Sequence, residues 1–146
     1  MLFGSRRKRI VRRAVKRTVV QFKGSSPAIY KHLYYGHALM GGAPQWLVVW
    51  YIFETDDALE AAENMGLCDR IRHATVQNLL SLGYPQEAFD VMQPPVDVDH
   101  VQIIGGGSIF KEQLLFDMRN QKAKVCFTTH EDIVRKADGD YYLYFH

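Results

Sequence analysis

Apolar residues recur at helical spacing at Ile10, Val11, Ala14, Val15, Val19 and Phe22, with Arg9, Arg12, Arg13, Lys16 and Arg17 between them. That period predicts an amphipathic helix over 10–22 with one strongly basic face. KGSSP at 23–27 forms a turn, and the aromatic run IYKHLYY at 29–35 predicts a strand. Gly41, Gly42 and Pro44 then bring the chain back, so this strand is expected to pair with the next as an antiparallel hairpin. LVVWYIF at 47–53 is uninterrupted apolar sequence, too short to span a bilayer and rich in β-branched and aromatic residues. It predicts a central strand covered on both faces. Glu54, Thr55, Asp56 and Asp57 end the run abruptly: Thr55 suits a helix cap, and the two aspartates suit the positively polarised first turn.

The helical stripe that follows runs through Leu59 and Ala62, meets a stop or bend at Asn64 and Gly66, and resumes at Cys68, Ile71, Thr75, Leu79 and Leu82. Gly83 is placed to end it, and Pro85 starts a short helical turn. QPPVDVD at 93–99 leaves regular structure, because paired prolines donate no ladder hydrogen bonds. KVCFTT at 124–129 predicts another strand; Thr129 caps a short helix to about 137; Asp138, Gly139 and Asp140 make a tight turn; and YYLYFH at 141–146 predicts a closing strand. The expected fold is a single α+β domain over 1–146. Its sheet has about four strands, antiparallel or mixed, with the long helix 56–82 packed on one face and a basic amphipathic helix within 1–23.

Two local resemblances add to this reading. VQIIGGGSIFKEQLL at 101–115 is similar to the strand, glycine turn and helix of dihydrofolate reductases, where consecutive glycines approach the NADPH diphosphate, and KVCFTT fits the strand that follows. The likeness covers 101–129 only. That family's early strand and catalytic carboxylate helix, and its second phosphate loop, have no counterpart here. The resemblance therefore implies an anion site at Gly105, Gly106, Gly107 and Ser108, and not hydride transfer. WYIFETDDALEAA, LLSLGYPQEAF and the closing GDYYLYFH together resemble a small uncharacterised family of bacterial α+β proteins. In that family a strand leads into a long acidic helix, a Gly-Tyr-Pro stop and a terminal aromatic strand. The match covers most of 46–92 and 124–146, makes 93–121 an insertion, and implies no activity.

Charge changes the picture most. The 146 residues carry a net +2, yet residues 1–53 hold ten Lys and Arg and no acid, which leaves −8 on the remainder. Such asymmetry points either to an anionic partner for the first part or to attraction between the two parts. Tyr30, Tyr34, Tyr35, His32 and His37 are the aromatic company of the basic helix, a combination that suits stacking on single-stranded nucleic acid as well as ordinary packing.

Bond-making chemistry finds less support. His130, Glu131 and Asp132 are successive on a helix and point in different directions, and no HExxH spacing is present, so no metal and no cofactor are expected. Cys68 and Cys126 lack CxxC spacing and read as free thiols of a reducing compartment. No apolar run reaches the length of a membrane span, and a cytoplasmic location is expected. The first functional expectation is a non-catalytic binding module that recognises a protein partner by charge complementarity, such as a toxin neutralised in an immunity-type complex. Its contact residues are Arg9, Arg12, Arg13, Lys16, Arg17, Tyr30 and Tyr34. One alternative is nucleic-acid binding through the basic helix; another is a nucleotide-binding enzyme that uses the turn at Gly105, Gly106 and Gly107. Oligomeric state is left open.

Overall fold

The computed structural model describes residues 2–36, 43–89 and 122–146, the first four of them by their backbone alone. Helix α1 (Leu2–Gln21) is followed by strands β1 (Lys31–Tyr35) and β2 (Val48–Phe53), helices α2 (Asp56–Asn64) and α3 (Leu67–Ser81), strand β3 (Lys124–Thr129), and helices α4 (His130–Ala137) and α5 (Tyr141–Phe145). Single 3-10 turns lie at Pro44–Trp46 and Gln86–Ala88. The protein is thus a mixed α+β domain, and no described helix is long and apolar enough to cross a membrane.

The apolar run becomes the middle strand. The sheet order is β1-β2-β3; β1 pairs with β2 antiparallel, as the expected hairpin, and β3 pairs with β2 in parallel. Strand alternation then divides the side chains of β2 between two environments. Val49, Tyr51 and Phe53, fully buried, share one face with Val125 and Phe127 of β3. Against this face α1 sets Val11, Ala14 and Val15, and α3 sets Cys68, Ile71 and Leu79, to make the hydrophobic core. Val48, Trp50 and Ile52 point the other way, towards α4 and α5: the Trp50 ring lies 5.1 Å from that of Phe145.

Polar groups inside the core are paired. Thr75 gives its hydroxyl hydrogen to the Ile71 carbonyl at 2.7 Å, so the Tyr51 hydroxyl, 2.8 Å away, is the donor to Thr75. Thr18 likewise donates to the Ala14 carbonyl, and the Asn78 amide donates to both Thr18 and Gln21 at 2.9 Å, locking α1 to α3. Both expected caps form: Thr55 accepts from the Ala58 amide at 3.1 Å, and Thr129 from the Asp132 amide at 3.0 Å. The two strand-to-helix junctions are also stitched together. Glu131 accepts from the Asp56 amide at 3.1 Å, its own amide donates to the Glu54 carbonyl, and Thr129 donates to Asp56 at 2.5 Å.

The expectations need three corrections. The long helix 56–82 is two helices, because Gly66 at φ 77 takes a left-handed conformation that breaks the ladder after Asn64. The closing segment is helix α5 and not a strand. Asp140 caps it by accepting from the Leu143 amide at 3.1 Å, and the partly buried residues Tyr141, Tyr144 and Phe145 fall at i, i+3 and i+4, one helical face. Tyr142 and Leu143 are turned out to solvent. Without that strand, the sheet among the described residues has three strands and not about four. The proposed insertion at 93–121, with Gly105, Gly106, Gly107 and Ser108, lies outside the described residues.

Candidate functional site

Two surfaces of the domain concentrate chemistry. The first is the outer face of α1. Val11, Ala14, Val15 and Thr18 are buried against α3 and the sheet, and helical geometry therefore turns Arg9, Arg12, Arg13, Lys16 and Arg17 outward, where all five are exposed. Repeats such as Arg9, Arg13 and Arg17 set like charges at i, i+4, each pair costing about 0.2–0.5 kcal/mol. Among the described residues none of the five forms an ion pair with an acid; Arg17 donates to the Ser81 hydroxyl at 3.4 Å, near the carboxyl end of α3. Arg6, Arg9 and Arg13 rim a groove of about 290 Å³ whose apolar lining is Ile10 and Leu82. The Gly83 turn lies beside Arg6 and Ile10 here, with an added Cβ 3.7 Å from the Arg6 guanidinium.

The tyrosines expected to accompany this helix are divided. Tyr34 packs its ring partly buried against the hydrophobic core. Tyr30 remains exposed, its ring 5.2 Å from that of His130 at the start of α4 and tilted 50° to it.

The second surface lies where α4 and α5 cover Trp50. Tyr144 donates its hydroxyl hydrogen to Asp132 and accepts from Thr128 at 2.7 Å, fixing α5 to β3. Asp132 also binds Arg135 at 2.7 Å and Lys136 at 3.2 Å, and Arg135 reaches on to Asp56 at 3.0 Å. The Tyr144 hydroxyl first, and then Arg135, hold the Asp132 carboxyl down to about 2, and the hydroxyl of Thr129 does most to lower that of Asp56. A cavity of about 480 Å³ opens beside this network, between Tyr35, Trp50, Tyr144 and Phe145, with Lys136 on its wall. Sequence reasoning missed it. The available signal was the spacing of Tyr141, Tyr144 and Phe145, which suits one face of a helix.

Groups with catalytic potential are engaged elsewhere. His130 Nδ1 is 2.8 Å from the Tyr141 hydroxyl, and neither cavity has a histidine or carboxylate in its lining. Burial pushes the Cys68 thiol up to about 11 and raises that of Cys126, which keeps both protonated and weakly nucleophilic near neutrality. Among the described residues no three His, Cys, Asp or Glu side chains are grouped to hold a metal. No protein-family model, curated protein or solved structure matches the chain.

Proposed function

We propose that this protein is a binding module that recognises an acidic surface on a partner protein through the outer face of α1. The observation that carries the reading is the row Arg9, Arg12, Arg13, Lys16 and Arg17, exposed and with no ion pair to an acid among the described residues. Like charges held at i, i+4 weaken a helix, so the row works against stability and finds its use in an external anion. The neighbouring groove favours protein over nucleic acid as the source of that anion. Its guanidinium rim takes carboxylates, while Ile10 and Leu82 offer an apolar seat for a side chain that a phosphate backbone lacks. A toxin held in a neutralising complex is the form of partner this reading puts first.

The test is a variant with Arg9→Glu, Arg12→Glu and Arg13→Glu. These side chains are exposed, and the glutamates at 12 and 13 face Lys16 and Arg17 at i, i+4 while the one at 9 faces Arg6 at i, i−3, so Tm is expected to stay within about 2 °C of the wild type. Binding to an acidic protein recovered with the wild-type chain is expected to fall at least tenfold. A partner retained at full strength by the folded variant overturns the proposal. The exposure of the same five cations favours a second reading, nucleic-acid binding. It predicts affinity for a random single-stranded oligonucleotide that falls steeply with salt, with a slope reduced in the variant.

A further inference from the structure

The cavity beside α5 has the makings of a ligand site separate from α1. We infer that it binds a small, flat aromatic molecule carrying a single anionic group. Its volume, about 480 Å³, is in the range of small-molecule pockets, and most of its wall is aromatic. Phe145 lies 5.1 Å from Trp50 at 54° and 4.8 Å from Tyr144 at 79°, so ring faces and ring edges both line the space. Surfaces of this kind take another ring in stacked or edge-on contact.

The polar groups specify the charge. Trp50 donates its indole hydrogen to the Tyr35 hydroxyl at 3.2 Å, which casts that oxygen as an acceptor. The hydroxyl's own hydrogen then has no acceptor among the described residues and is available to a ligand. Lys136, on the same wall, has three donors and uses one on Asp132. The Asp132 carboxylate is divided between Lys136, Arg135 and Tyr144, and no acid lines the cavity itself. An aromatic cage alone also suits a cation. Here Lys136 is itself part of the wall, and its charge selects an anion instead.

The full chain is titrated calorimetrically with indole-3-acetate and, separately, with uncharged indole-3-acetamide. The acid is expected to bind one to one and at least tenfold more tightly than the amide. Equal affinities, or no saturation by the acid below about 10 mM, a level weaker than any specific site of interest, overturn the inference. Lys136→Met and Tyr35→Phe are each expected to weaken the acid about tenfold and leave the amide unchanged, as loss of one charge-assisted hydrogen bond predicts. Ala137→Leu fills the cavity from its wall. It is expected to abolish both titrations while near-ultraviolet circular dichroism stays native, and unaltered binding by this variant also sinks the inference.

Discussion

The two faces of the sheet share the same three strands and have opposite constructions. On one, α1 and α3, of 20 and 15 residues, close over Val49, Tyr51 and Phe53, and among the described residues the hydroxyls buried there, those of Thr18, Tyr51, Thr75 and Tyr84, are paired. On the other, α4 and α5, of 8 and 5 residues, cover Trp50 incompletely and are held by Tyr144, Asp132 and Arg135, whose bonds run close to solvent. The first is a core, in which area removed from water dominates. The second is a clasp, in which a few charged hydrogen bonds hold a short helix over a space. The comparison teaches that dense packing and open cavity space are separated within one small domain, so each can be altered without the other.

The contrast is broken most sharply by matched truncations. Phe53→Ala on the packed face is expected to cost about 3–5 kcal/mol, enough to unfold much of the protein, because the ring is fully buried and the surrounding helices cannot collapse into the space. Phe145→Ala on the clasped face is expected to cost less than about 2 kcal/mol, since that ring is only half-buried. Urea denaturation of both variants measures the difference, and equal losses would refute the division.

A change in the hairpin should injure both faces together. Gly36, at φ 91 just past β1, would drive an added Cβ into the Trp46 carbonyl oxygen, a backbone atom that cannot step aside. Gly36→Ala is expected to cost about 2–3 kcal/mol, and to reduce the fluorescence signature of Trp50 and the helical circular dichroism in one transition.

The smallest effect lies in acid. The Asp132 carboxyl is depressed to about 2, so its contribution is complete above the unfolded carboxylate range near 4 and is lost as pH falls from there to about 2. Asp56 is lowered as well and loses its contribution in the same direction. Solvent screening keeps the Asp132 contribution below about 1 kcal/mol. Near-ultraviolet circular dichroism is expected to show the clasp loosening between pH 4 and 2 while helical signal from the packed face persists. Asp132→Asn should remove that step.

Much of the packed face was legible in the sequence. The period of Val11, Ala14, Val15 and Val19, the uninterrupted run into Phe53, and the caps Thr55 and Thr129 are local signals, and each agrees with the element it forms. The clasped face was not. YYLYF is apolar or aromatic at every position, so it has no contrast from which to read a period, and its aromatic content favoured a strand. Asp140, one residue earlier, decides for a helix, and the contacts of Tyr144 with Thr128 and of Phe145 with Trp50 confirm it from 16 residues or more away along the chain. The candidate residues divide in the same way. The exposure of Arg9 to Arg17 follows from helix period alone, whereas the separation of Tyr30, on His130, from Tyr34, in the core, depends on which elements arrive to cover each ring.

The stitching of the Glu54 to Asp56 junction to the Thr129 to Glu131 junction has a mechanical consequence. A pull on the carboxyl end first parts Tyr144 from Thr128 and Asp132, and then meets the bonds of Arg135, Glu131 and Thr129 to Asp56, which lies 73 to 79 residues away in sequence. Under tension the chain should unzip from Phe145 back to the Asp138 bend and then stall, giving way in two steps of unequal force.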